Sequence, residues 1–220
     1  MNKAGIMVAF LVLMVSTSSL AQVAGVDYQW KEKHHENGIQ IYTSKVAGSK
    51  HKALRAVMTV KGKLNSLVAL VQDNEACPKW ADLCKESRIH EKVSDTENYI
   101  YSYNNLPFPV SDRDVLAHVI WQQNPISKKV SMTSIASKDR LAKTKAVRIE
   151  NAVSNWHFTP QGDGNVLVES FAHIDPNGPT PAWLSNMLLV KSPIKTMQNM
   201  RRIIEQGDYA DAKASFTVIE

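Results

Sequence analysis

From residue 85 to residue 174 the chain alternates apolar and polar side chains in six short stretches, at about 85–93, 97–104, 112–123, 128–137, 146–159 and 165–174, with no helical repeat between them. Successive side chains of a strand point to opposite faces, so each stretch offers one face to a core. Links this short join antiparallel neighbours, because a parallel crossover needs a dozen or more residues and usually a helix. Gly162 to Asn165, "GDGN", reads as a hairpin turn between the last two stretches. The pattern argues against a doubly wound fold and predicts an α+β chain built on a meandering antiparallel sheet.

Two further strands precede this region, "IQIYTSKV" and "KALRAVMTV"; in the second, Leu54, Ala56, Met58 and Val60 alternate with Arg55 and Thr59. A helix follows them, since Leu64, Leu67, Val68 and Val71 recur at the spacing of one helical face. Upstream, "VDYQWKEKHHENG" reads as a helix from about Val26 that stops at Asn37 and Gly38, a pair suited to a left-handed C-terminal turn. His34 and His35 at its polar end do not share a face and read as surface residues, not a metal site. The longest helix closes the chain, with Thr180 as N-cap and Pro181 at the first helical position. Trp183, Met187, Val190, Ile194 and Met197 line one side of it, and Pro193 predicts a kink.

The N-terminus stands apart from the fold. Lys3 is followed by the apolar run "AGIMVAFLVLMV" and by small residues ending in "SSLA", the layout of a secretory signal peptide over residues 1–21, cut after Ala21. An uncleaved anchor is the alternative, although the run is shorter than the roughly 20 residues a span needs. Residues 22–220 then form a single domain, placed in the periplasm or secreted. Export argues against a nucleic-acid partner for the modest basic excess: without Lys3, 25 Lys and Arg face 21 Asp and Glu. Seven of these bases lie between Lys128 and Arg148 beside one acid, Asp139, which reads as a solvated surface or a patch suited to an anionic membrane. Cys77 and Cys84 are the only cysteines; in an exported chain they permit one disulfide, with two buried thiols as the alternative. Pro78 makes a continuous helix between them unfavourable.

These pieces, taken in order, resemble a known family. "NGIQIYTSKV", "CPKWADLCKES", "FPVSDRDVL", "SNWHFTP" and "HIDPNGPTPAWL" are similar to the StAR-related lipid-transfer (START) domains, particularly exported bacterial members, over roughly residues 27–205. The resemblance implies a helix-grip fold, in which a curved antiparallel sheet wraps a long C-terminal helix and the two enclose a hydrophobic tunnel for one lipid-like molecule. It implies a monomer that binds a lipid or other hydrophobic small molecule, touches membrane transiently and needs no cofactor or metal. "NNLPFPV" matches the loop that borders the tunnel mouth in the family, with Phe108 facing ligand or bilayer and Asp112, Arg113 and Asp114 anchoring its far end. Arg113 offers a planar fork of donors, and Asp112 or Asp114 is the expected acceptor.

The same resemblance yields a ligand-contact set: Ile100, Ser102, Phe108, Ala117, Val119, Trp121, Met187, Val190 and Ile194. Several family members carry a buried acid and base thirteen residues before and six after the motif arginine. Ile100 and Val119 hold those positions here and are apolar. A tunnel without that pair avoids the cost of buried charge and favours a ligand apolar along most of its length. Trp80, Trp121, Trp156 and Trp183 belong first to core packing, with at most two at the ligand. A catalytic alternative, a cyclase or hydrolase on the same fold, would need titratable groups inside the tunnel; His118, His157 and His173 are the candidates, outward placement being the other reading. No HExxH or GxSxG motif is present. A store or sensor that holds its ligand is a third reading.

Overall fold

A computed structural model describes residues 28–138, 141–142, 144–178 and 181–220. The signal-peptide segment and Thr180 lie outside the described residues. Ten strands form one sheet: β1 (Lys31–Glu36), β2 (Ile39–Ser44), β3 (Ala53–Lys61), β4 (Cys84–Lys92), β5 (Glu97–Asn104), β6 (Arg113–Gln123), β7 (Val130–Ala136), β8 (Val147–Arg148), β9 (Asn151–Pro160) and β10 (Asn165–Asp175). Their order is β1-β2-β3-β10-β9-β7-β6-β5-β4, with β8 attached to β6. All pairings are antiparallel except the two-residue β6–β8 contact.

Between β3 and β4 the chain forms α1 (Leu64–Gln72), a 3₁₀ turn (Asn74–Ala76) and α2 (Cys77–Trp80). After β10 come α3 (Ala182–Asn186), a wide π-helical turn (Met187–Lys191) and α4 (Ser192–Gln206). Leu64, Leu67, Val68 and Leu70 of α1 and Met197, Met200, Ile203 and Ile204 of α4 are buried together with Ile39, Met58, Phe158 and Val168 from the sheet. The two helices thus hold down the sheet's concave face, each buried aliphatic side chain contributing about 1.5–3 kcal/mol. Gly62 allows the closest approach: a Cβ there would stand 2.5 Å from Cγ2 of Ile204. The helix-grip expectation is met.

Three local expectations change. Residues 31–36 are strand β1, not helix: Asn37 and Gly38 both take positive φ, 51° and 69°, and Glu36 pairs with Ile39. Asn-Gly serves here as a two-residue hairpin turn, whose positive φ values give it a twist that matches the right-handed twist of paired strands. The stretch 146–159 is two strands, because β8 runs parallel beside Arg113 and Asp114 while β9 joins β7 and β10. In the last helix the irregularity spans Met187–Lys191, one step ahead of Pro193: the Ser192 N–H bonds to the Met187 carbonyl, five residues back. A proline cannot donate to the carbonyl four residues before it, and the widened turn accommodates that gap. Pro181 sits just before the first helical residue.

Cys77 and Cys84 are bridged, with Cα atoms 6.0 Å apart. The bond ties the start of α2 to the start of β4, which the turn after Trp80 brings together. Beyond α4, residues 207–220 cross the end of the molecule. Glu220 accepts N–H groups of Leu64 at 3.1 Å and Asn65 at 2.8 Å, placing a carboxylate at the N-terminus of α1. Phe216 meets Trp121 with ring centroids 6.2 Å apart.

Candidate ligand cavity

Side-chain size changes along the strands, and this makes the cavity. Counted across the sheet in register, one row reads Val130, Phe158, Val168, Met58 and Ile39, and the next Trp121, Met132, Trp156, Ser170, Ala56 and Ile41. One step further along, the row becomes Ser134, Ser154, Ala172, Leu54 and Thr43. Beyond it, Ala117 pairs with Ala136, and Ala152 with Ile174. The large rings therefore fill one end of the concave face, with Trp121 stacked on Phe158, Phe158 on Trp156 and Trp156 edge-on to Trp80. At the other end the small residues leave space.

That space is a cavity of about 750 Å³, within the range of small-molecule sites. Its floor is the small-residue row. Its roof is Ser185, Asn186, Leu188, Leu189, Val190 and Ser192, the stretch from α3 through the wide turn. Leu188, Leu189 and Val190 are only half-buried because they face space, whereas the α4 stripe presses on packed core. Leu106, Val115 and Ile149 add apolar wall. Polar lining comes from Thr43, Ser134 and Ser154 and from a basic group: Lys33, Lys50, His51, Lys52 and Arg113.

The junction at residues 107–114 holds the mouth in shape. Arg113 is buried and donates from Nε to the Pro176 carbonyl at 2.7 Å, from its terminal nitrogens to the Asn177 carbonyl at 2.9 Å and to the carbonyl of Ser111. It pairs with neither neighbouring aspartate, contrary to the expected acceptor, because both carboxylates are engaged elsewhere. Asp112 accepts the Leu106 N–H at 2.9 Å and the Tyr103 hydroxyl at 2.7 Å, closing the loop on itself. Asp114, fully buried, receives Arg148 in two-pronged fashion at 2.6 and 3.0 Å and the Thr144 hydroxyl at 2.6 Å. Burial pushes the Asp114 carboxyl up, but the bonds from Arg148, Thr144 and Tyr101 together hold it below the usual range. Asp112, Arg113 and Asp114 thus each hold the junction through different partners, and Arg113 also lines the cavity.

The profile of the START domain family matches residues 13–207. The chain belongs to the START domain family. A relative in Pseudomonas aeruginosa, itself uncharacterised, is 30% identical over 178 residues, covering 80% of this chain and 87% of that one. The crystal structure of a STAR-related lipid transfer protein fragment from Xanthomonas axonopodis superposes with a TM-score of 0.73 at 30% identity, covering 80% of this chain and 99% of that one. Human StAR-related lipid transfer protein 5 gives 0.74 at 18% identity over 86% and 90% of the two chains, which shows a common fold.

In this START domain, Ala117 and Val190 of the expected contact set line the cavity. Ile100 and Ser102 share the concave side, paired with Ala117 and Val115, but lie outside the lining, to which β5 contributes Asn104, and Ser102 meets Ser87 at 3.2 Å. Val119 and Trp121 are in the packed core. Met187 and Ile194 are half-buried outside the lining, and Phe108 is 96% exposed at the loop tip, beside the cis Phe108–Pro109 bond. None of the four tryptophans named from sequence lines the cavity, and Trp183 is 47% exposed.

The candidate catalytic histidines all lie on the convex face: His118 bonds Glu97 at 2.7 Å, His157 bonds Ser131 at 2.9 Å and His173 bonds Ser49 at 3.0 Å. They alternate with the inward-facing Ala117, Phe158 and Ala172. Sequence reasoning missed the small-residue floor and the lysines. The signal was there as period-two small residues, Ser134 with Ala136 and Ala152 with Ser154, at positions where neighbouring strand segments carry bulk.

Proposed function

We propose that the exported domain, residues 22–220, acts as a monomer in the periplasm, holds one hydrophobic ligand in this cavity and carries it between membrane surfaces. The observation behind the reading is the cavity itself, walled by Leu54, Leu106, Val115 and Ile149, roofed by Leu188, Leu189 and Val190, and sized for a small molecule. Each CH₂ of a lipid chain gains about 0.8 kcal/mol on leaving water, so a chain of about sixteen carbons faces a desorption barrier on the order of 12 kcal/mol. A wall that covers the chain as it leaves the bilayer lowers that barrier without covalent chemistry. Membrane contact finds support in two exposed aromatics, Phe108 on the loop beyond Leu106 and Trp183 at the start of the roof. The Xanthomonas axonopodis and human proteins, both lipid transfer proteins by name, point the same way.

The test is mass spectrometry of organic extracts from protein purified out of its native periplasm, followed by transfer of the extracted compound between donor and acceptor vesicles. A stoichiometric hydrophobic compound and accelerated exchange are expected. A stoichiometric compound without acceleration would convert the carrier into a store, and protein that neither retains nor takes up any apolar compound would overturn the reading.

A further inference from the structure

The cavity wall is electrically lopsided. Lys33 of β1, Lys50 and Lys52 of the β2–β3 link, and Arg113 of β6 contribute four fixed positive charges. One carboxylate, Asp82, faces them, and Lys195 neutralises it at 2.9 Å. Asp175, outside the lining, is engaged with His51 at 3.2 Å. Arg113 spends its donors on backbone carbonyls, which satisfies its hydrogen bonds and leaves its charge uncancelled by an ion pair. Lys33, Lys50 and Lys52 have no ion pair or hydrogen bond to another described residue.

A lysine on an open surface is solvated and needs no partner. These three are themselves exposed, but they line one concavity together with a buried guanidinium and apolar walls, and walls of low polarisability focus the positive potential into the space. A wholly apolar occupant would gain nothing from that potential. An anionic group at that end would gain charge-assisted hydrogen bonds, while its tail lay against Leu54, Val115, Leu188 and Leu189.

Building on the reading of the cavity as a ligand chamber, we propose that the ligand is an anionic amphiphile. Its carboxylate or phosphate head is held by Lys33, Lys50 and Lys52, and its apolar tail runs over the small-residue floor.

Titration of the purified protein with dodecanoate, dodecyl phosphate and dodecanol, below micelle formation and without membrane, tests the assignment. One or both acids bind about tenfold or more tightly than the alcohol, the worth of a single hydrogen bond to a charged group, and added salt weakens only the acids. Comparison of the two acids tells a phosphate head from a carboxylate. Combined Lys33→Glu, Lys50→Glu and Lys52→Glu substitution abolishes the preference for the acids over dodecanol; the wild-type comparison and salt series stand even if this variant misfolds. Equal affinity for acid and alcohol, or equal loss of both in the folded variant, overturns the anionic assignment while the chamber stands. Uptake of none of the three overturns both.

Discussion

Ser134 and Ser154 stand directly opposite each other across β7 and β9, and both line the cavity floor. Their size is what leaves room between sheet and roof, so volume added there enters the ligand's space. Ser154→Phe is expected to keep the fold and to abolish ligand uptake, read as bound stoichiometry beside a circular dichroism spectrum. Met187→Trp, outside the lining, is expected to leave uptake close to wild type. Full stoichiometry in folded Ser154→Phe would misplace the chamber.

Asp114→Asn leaves the Arg148 guanidinium facing a neutral amide in a closed site. Breaking a buried pair from one side costs about 3–5 kcal/mol, and denaturant unfolding at neutral pH is expected to register a loss of that order. Because the folded-state carboxyl lies below its ordinary value of 3.8, its contribution is present above that value and is lost as the pH falls through the folded value. The variant's acid unfolding is therefore expected to be shallower.

His157 gives the second acid-sensitive point. Burial, aided by Lys129, pushes its imidazole down from 6.5 to about 4. A base held below its ordinary value makes the unfolded chain take up the proton first, so the neutral ring's stabilisation is complete above 6.5 and declines as the pH drops toward about 4. The melting temperature of His157→Gln is expected to fall less over that window than the wild type's. Parallel curves would remove His157 as the source.

The Cys77–Cys84 bridge closes a short loop, with a separation of seven residues. Chain-entropy scaling for a loop of that size puts its contribution at about 2–3 kcal/mol. The Cys77→Ala, Cys84→Ala double variant is expected to lose that much by denaturant titration under oxidising conditions, and to match reduced wild type.

Phe216 lies beyond the matched family region, which ends at residue 207. It packs on Trp121 at the filled end. Phe216→Ala is expected to destabilise the protein by about 2 kcal/mol, below the 3–5 typical of a fully enclosed ring because Phe216 is only half-buried. Affinity for ligand at the opposite end should not change.

The strands and both main helices were legible because period two and period 3.6 leave direct marks, as in Leu54 to Val60 and Leu64 to Val71. β1 was not, because Asn37-Gly38 ends helices and turns hairpins equally well; pairing with β2 decided between them. The site was less legible than the fold. Alternation told which face Ala117, Val119 and Trp121 share, but not that bulk rises from Ala117 to Trp121 along one strand, so that the same face is cavity at one end and core at the other. Arg113 was read as an anchor; two of its three carbonyl partners lie 63 and 64 residues away and depend on where β10 ends.

The rise in side-chain bulk along the strands has a consequence for traffic. A pouch filled at its base by Trp121, Trp156 and Phe158 gives a guest no way through that end, so a molecule carried as proposed would come and go around the small-residue end.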